Sequence, residues 1–152
     1  IKLFILIGTI IPTLALGDVL YRPDKDDFTG KDNSNVQLRG TSKEFLVAWK
    51  CLSNGLNVAL AHGYLGGDIE NRVVVQTKFD DNPPSDRHYY SLQPNNVITL
   101  FDLDDVPEFT ADTIASETLM VRIIDLFDND SMTGSFETDG LRAALAKLPC
   151  YP

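Results

Sequence analysis

The chain has 152 residues, a length that suits one domain, and it carries 22 acidic against 13 basic residues for a formal net charge of −9. Nucleic acid and anionic lipid both select proteins with a basic face, so this charge argues against both classes of partner. A chain of this size can form a hydrophobic core that buries about two-thirds of the unfolded surface.

The first 17 residues are typical of a secretory signal peptide. Lys2 supplies a basic flank, residues 3–16 form an uncharged apolar run, and small residues up to Gly17 mark a cleavage position before Asp18. The run is shorter than the roughly 18–20 residues that cross a bilayer, although a retained membrane anchor is the alternative. We therefore expect a periplasmic or secreted protein with no stable membrane anchor after cleavage.

The rest of the sequence divides into an acidic start and a patterned domain. Residues 18–35 are polar and rich in turn-forming residues, so we expect an irregular acidic N-terminal segment there. Residues 36–152 are predicted to form a single β-rich domain. In the stretch KEFLVAWKC (residues 43–51), every second residue from Phe45 to Cys51 is apolar, which is the pattern of a half-buried strand.

Further elements follow in chain order, separated by turns that contain glycine, proline or asparagine. The third strand is rich in β-branched residues, and a proline near the start of one later segment favours a helix. The last helix carries an apolar stripe at positions i, i+3, i+4 and i+7. Strands are predicted at 56–64, 72–80, 87–92, 96–101, 118–127 and 135–138, and helices at 105–119 and 138–148.

This order predicts a mostly β (α+β) fold. Short connections between consecutive strands favour antiparallel pairing. The expected architecture is an antiparallel sheet or sandwich of about 7–8 strands, with a short crossing helix and a C-terminal helix on one edge or face.

Cys51 and Cys150 are the two cysteines of the chain. In an exported protein an even number of cysteines indicates a disulfide, and two cysteines allow one pairing. Such a bond would staple the C-terminal helix to a central strand. The alternatives are two buried free thiols or a metal pair. A metal would need more ligands than these two cysteines, His62 and His88, all far apart in sequence, can be assumed to supply.

Signals for metal or catalytic chemistry are weak. The acidic loops that begin at Asp24 and Asp128 lack the ligand spacing of an EF-hand, and turn chemistry accounts for their aspartates. No GxSxG or HExxH motif is present. We predict no metal, no cofactor and no catalytic residue. A cell-wall-active hydrolase that uses Asp102, Asp104 or His88 is the alternative.

A partner-binding face is predicted around the third strand of the domain. Lys78 and Asp80 lie two residues apart and hence on one face, and after the proline turn Tyr89 or Tyr90 comes back opposite them. Charged and aromatic side chains together are common in recognition surfaces. The predicted partner-binding residues are Lys78, Asp80, Tyr90 and Arg122. The alternative is a cross-strand ion pair covered by a tyrosine.

Several of these features also occur together in one protein family. Lys50-Cys51 ends an early strand, HGYLGG follows, TKFDD precedes Tyr90-Ser91, and LMVRI precedes GSFETDGLRAALAKLPCY. In this combination the chain resembles the VasI (TagO-like) family of type VI secretion-associated proteins over residues 36–151. Lysine replaces the family's arginine at 50 and 78, and tyrosine replaces its tryptophan at 90. The matching anchors are Cys51, Asp80, Arg122, Phe136, Gly140, Leu141 and Cys150.

The resemblance implies a small periplasmic accessory protein linked to an envelope-spanning secretion apparatus, with a protein partner in the cell envelope. It offers no catalytic residues. The expected function is therefore a non-catalytic accessory or binding protein. The alternatives are the cell-wall-active hydrolase and an inhibitor of another exported protein.

Overall fold

A computed structural model describes residues 18–41 and 45–152, so the predicted signal peptide lies outside the described residues. Within them the chain forms nine strands of one sheet and two short helices. The strands are β1 (Asp18–Arg22), β2 (Asn35–Arg39), β3 (Leu46–Leu52), β4 (Gly55–Ala61), β5 (Arg72–Phe79), β6 (His88–Leu92), β7 (Ile98–Leu100), β8 (Thr118–Asp125) and β9 (Ser131–Glu137). The helices are α1 (Val106–Ala115), between β7 and β8, and α2 (Leu141–Leu145), after β9.

The sheet is antiparallel throughout, with the strand order β1-β2-β3-β4-β7-β6-β5-β8-β9. It consists of a first meander (β1 to β4), a second meander that runs in the reverse spatial order (β7 to β5), and a terminal hairpin (β8 and β9). The predicted mostly β fold with a crossing helix is confirmed.

The N-terminal segment differs from the prediction, since its first five residues form strand β1. Here Val19 and Tyr21 pair with Leu38 and Val36 of β2, and all four are wholly or partly buried. A short apolar run between Asp18 and Arg22 is too weak a signal on its own, and the pairing with β2 is what fixes the strand.

The two ends of the sheet approach each other because the sheet curls around its core. The backbone amide of Thr41, just after β2, donates a hydrogen bond to the carbonyl of Ser135 in β9 at 3.2 Å. The rings of Phe45 and Phe136 meet edge to face, with 5.6 Å between their centroids. Gly134 is required at this contact because a Cβ there would overlap the ring of Phe45.

Helix α1 covers the inner face of the curled sheet through aromatic contacts. The Phe109 ring stacks on Trp49 at 6.0 Å and packs against Phe101 at 4.6 Å between centroids. The indole N–H of Trp49 donates to the hydroxyl of Thr110 at 3.0 Å, so the buried polar atom of the largest core side chain is satisfied. Within the described residues, no helix is both long and apolar enough to cross a membrane.

The C-terminus returns to the first strands of the sheet. The predicted apolar stripe of the terminal helix is confirmed, with Leu141, Ala144, Leu145 and Leu148 all buried. Helix α2 packs on β1 and β2, and the Lys147 ammonium lies 5.2 Å from the ring centre of Tyr21. The predicted Cys51–Cys150 disulfide is present, and it joins β3 to the chain just beyond α2.

Candidate functional site

Lys78 and Arg122 lie on the outer face of the sheet, on adjacent strands. In the register of β5 and β8, Lys78 pairs with Met120 and Gln76 pairs with Arg122, so all four side chains point to the same side. They line a shallow groove of about 220 Å³, which Pro84 and Thr133 complete. We call the face around this groove, defined by Gln76, Lys78, Met120 and Arg122, the basic face.

Both cations of the basic face are free of ion pairs within residues 18–41 and 45–152. The ion pairs found there belong to Arg72, which contacts Asp68 at 3.0 Å and Glu70 at 2.9 Å. Arg122 is exposed, and its Nε donates to the Thr133 hydroxyl at 3.3 Å. The alternative of a cross-strand ion pair is therefore not formed by Lys78 or Arg122, and two positive charges remain available on an acidic protein.

The structure uses Asp80 differently from the prediction. Asp80 lies in the turn after β5, with a positive φ of 49°, a conformation that aspartate tolerates. Its carboxylate accepts hydrogen bonds from the amides of Glu117 at 2.9 Å and Thr118 at 2.8 Å, and from the Thr118 hydroxyl. Asp80 thereby ties the end of β5 to the start of β8 and is not part of the basic face.

Tyr90 also lies away from the basic face. It is buried on the inner face, stacks on Phe101 at 4.6 Å, and donates its hydroxyl to Asp105 at 2.7 Å. Burial, and then the hydrogen bond to Asp105, raise the pKa of Tyr90. The neighbouring Tyr89 pairs with Val74, is exposed on the outer face and lies under the Arg72 guanidinium at 5.3 Å.

A cleft of about 170 Å³ lies between α1 and the second meander. His88 lines it and stacks on Tyr90, with 6.1 Å between the ring centroids. The carboxylates considered for the hydrolase alternative, Asp102 and Asp104, are exposed in the turn before α1 and do not line this cleft. Of these three residues, His88 is the one that lines the cleft. Among the described residues, no group of three or more histidine, cysteine, aspartate or glutamate side chains could hold a metal ion.

His62 is a structural residue of the core. It is 5% exposed, and its Nδ1 lies 2.6 Å from the carbonyl of Gly63, while its Nε2 lies 2.8 Å from the hydroxyl of Thr99. Because a carbonyl only accepts, Nδ1 donates, and neutral Nε2 accepts from Thr99. Burial lowers the pKa of His62, so the fold favours the neutral ring.

Sequence reasoning missed one buried acidic residue with a clear role. Asp125, at the end of β8, is 4% exposed, and its carboxylate accepts hydrogen bonds from the backbone amides of Gly66, Gly67 and Phe127 at 2.5, 3.0 and 2.8 Å. These contacts join the β4–β5 loop to the β8–β9 turn. Two consecutive glycines before an acidic residue indicate a loop. The residue that binds this loop, Asp125, lies 58 residues after Gly67, so nothing in the sequence indicated the contact.

Comparison with known proteins adds no relative: no family model matches this chain, and no curated protein or solved structure is significantly similar to it.

Proposed function

We propose that this chain is a non-catalytic binding protein, periplasmic or secreted, that captures an acidic segment of another protein in the cell envelope. The observation that carries the proposal is the basic face, where Lys78 and Arg122 share an outer sheet surface without ion-pair partners among the described residues.

The composition of the basic face suits a protein partner. Arg122 presents a planar guanidinium that binds carboxylates in pairs of hydrogen bonds, and Lys78 adds a second positive charge. Met120, which is 38% exposed between them, supplies an adaptable apolar contact. Charges of this kind increase the association rate and the specificity of a complex more than its affinity.

Two further observations support the proposed setting. A disulfide persists in oxidising compartments, which agrees with a periplasmic or secreted protein. The resemblance to the VasI (TagO-like) family supports an accessory role beside a type VI secretion-like apparatus. We include that role in the proposal, with the secretion apparatus or its substrates as the source of the acidic segment.

The test is photo-cross-linking in the cells that produce the protein. A photoreactive phenylalanine analogue replaces Met120, which pairs with Lys78 in the basic face, and cross-linked partners are identified by mass spectrometry. We expect one dominant envelope protein, cross-linked through an acidic segment. Arg122→Glu and Lys78→Glu should each reduce this adduct at least about tenfold, because the reversed charge repels the segment.

Two controls make the experiment specific. The same analogue at Phe28, which is exposed in the loop between β1 and β2, should not give this adduct. Lys31→Glu reverses an exposed charge in the same loop and should leave the Met120 adduct unchanged. If Arg122→Glu keeps the full adduct, or if the analogue at Phe28 captures the same partner equally well, the assignment of the basic face is wrong.

A further inference from the structure

Three large apolar side chains are exposed on two loops at the same edge of the sheet. Tyr64 and Ile69, in the β4–β5 loop, are 75% and 103% exposed, and Phe127, in the β8–β9 turn, is 81% exposed. The two loops touch, since a Cβ on Gly66 would meet the Cβ of Phe127 at 2.9 Å. We call Tyr64, Ile69 and Phe127 the apolar tip.

The apolar tip is held in place by the fold. The buried carboxylate of Asp125 binds the amides of Gly66, Gly67 and Phe127, and therefore fixes both loops to one point. Leu65, directly beside Tyr64, is 5% exposed in the core, and its carbonyl accepts a hydrogen bond from the Asn96 side chain at 2.9 Å. A surface fixed before binding loses little conformational entropy when a partner docks.

These side chains have no evident role in stability. The fold buries Leu65 from the same loop and leaves its neighbour Tyr64 in solvent, so the loop is anchored without the apolar tip. Exposed apolar clusters on soluble proteins mark interaction sites, and aromatic side chains supply much of the binding energy at such sites.

The charges beside the apolar tip indicate the sign of the charge that a partner would carry. Asp68 and Glu70 flank Ile69 in sequence, and Asp128 and Asp130 follow Phe127 closely. Arg72 pairs with Asp68 and Glu70, whereas Asp128 and Asp130 form no ion pair within the described parts of the chain. The surroundings are therefore negative, which disfavours anionic lipid and favours a cationic ligand.

We propose that the apolar tip is a second interaction surface, which binds a segment of a partner protein that combines lysine or arginine with apolar side chains. The chemistry is opposite in sign to that of the basic face, so this proposal does not depend on the proposed function. The two surfaces would let one copy of the chain hold an acidic and a basic segment at once.

The test uses a fluorescent peptide of alternating lysine and leucine, titrated with the purified full chain and followed by fluorescence anisotropy. We expect saturable binding that weakens at high salt, and in NMR spectra the amides of Gly66, Gly67 and Phe127 should shift on binding. Phe127→Ser should weaken binding at least about tenfold, the effect of removing an interface anchor. Tyr64→Ser should weaken it in the same direction.

The matched control is Phe28→Ser, since Phe28 is 98% exposed on a loop between other strands and should change the affinity less than about twofold. Arg122→Glu should not weaken binding, which separates this result from a failure of the basic face. Circular dichroism melts confirm that each variant is folded. The proposal would be overturned if the lysine–leucine peptide does not bind, or if Phe28→Ser weakens its binding as much as Phe127→Ser does. It would also be overturned if a glutamate–leucine peptide binds more tightly, or if the protein prefers phosphatidylcholine vesicles.

Discussion

Hydrogen bonds made by individual side chains determine which polar residues of this protein are available to bind a partner. Lys78 and Asp80 are two residues apart, yet Lys78 projects from the strand into the outer groove, while the Asp80 carboxylate is bound by backbone amides of another segment. Charge alone does not distinguish them. The difference is that Asp80 has fixed donors within reach.

Asp80→Ala should destabilise the protein by about 1–2 kcal/mol, because two amides lose a carboxylate acceptor in the manner of a lost helix cap. Alanine is also strained at the positive φ of this position. Urea unfolding measures the effect.

Asp80→Asn keeps an acceptor and tolerates this backbone conformation, so it should recover most of the loss. Asp81→Ala, at the exposed neighbouring position, should stay within about 0.5 kcal/mol of the wild type. Equal stability of Asp80→Ala and the wild type would contradict the structural role.

His62 should make the protein less stable in mild acid. Burial holds the pKa of its folded form below the ordinary value of 6.5, so the unfolded chain binds more protons between the two pKa values. The contribution of the neutral His62 ring to stability is fully present above the unfolded pKa and is lost progressively as the pH falls below about 6.5. Urea midpoints measured from about pH 8 down to about pH 5 should show this loss.

His62→Gln removes the titrating ring and should flatten the pH dependence in that window, although it lowers stability at neutral pH. His88→Gln retains His62 and should therefore keep the acid-side loss. A pH dependence that is unchanged in His62→Gln would show that another group is responsible.

Pairing between elements decides which side chains face outward. The register of β5 and β6 places Tyr90 opposite Val73 on the inner face and Tyr89 opposite Val74 on the outer face. The sequence does not show which of two adjacent tyrosines faces inward, because a shift of the strand register by one residue would exchange the buried and the exposed ring. Likewise, two amides of the β4–β5 loop are bound by Asp125, a residue of a strand far along the chain.

Much of the fold was predictable because its strands carry local alternation, as from Phe45 to Cys51, and because two cysteines allow one pairing. The basic face was predictable in part: Lys78 and Arg122 are on adjacent strands of one face. Asp80 and Tyr90 could not be placed, since their positions depend on a turn conformation and a strand register that form only in the folded sheet. The apolar tip has no periodicity and gave no signal.

Asp125→Ala should release the β4–β5 loop from the β8–β9 turn. Three backbone amides lose their acceptor inside the protein, at a cost of about 1–3 kcal/mol. Hydrogen exchange at Gly66, Gly67 and Phe127 should become faster, since these amides then open locally.

Asp125→Asn keeps one carboxamide oxygen as an acceptor. Its stability and its exchange rates at these amides should lie between those of the wild type and Asp125→Ala. Asp128→Ala, in the same turn but exposed, is the matched control and should leave the exchange of Gly66 and Gly67 unchanged. Protection that persists in Asp125→Ala would mean that the loops are held by other contacts.

The whole molecule is held as one unit by contacts between distant parts of the chain. The sheet closes where Thr41 meets Ser135, helix α2 returns to the first strands, and the disulfide joins positions 99 residues apart. Because each of these contacts joins distant parts of the chain, we expect the loss of any one of them to appear in global unfolding and not in one loop.

Removal of the disulfide should lower the global stability strongly. For a closed loop of order 100 residues, the chain-entropy model gives about 4.7 kcal/mol, and the double variant Cys51→Ser with Cys150→Ser should lose up to that amount. Chemical reduction of the wild type should reproduce the stability of the double variant. The intact mass without reductant should be about 2 Da below that of the reduced chain, because one disulfide replaces two thiols. Equal masses would mean that the thiols are free.

The strand order also bears on how the protein folds. Strand β4 pairs with β7, the last strand of the second meander, and β5 pairs with β8, which comes after α1 in the chain. The second meander therefore joins the first through its last strand. The sheet therefore cannot grow strand by strand along the chain, and pairings of this range place small domains in the millisecond-to-second class of folders. Cys150 follows the hairpin of β8 and β9 and helix α2 in the chain, so we expect its native pairing with Cys51 to be a late event in folding. The rate at which the two thiols become oxidised during refolding would then report when the C-terminal end of the chain reaches β3.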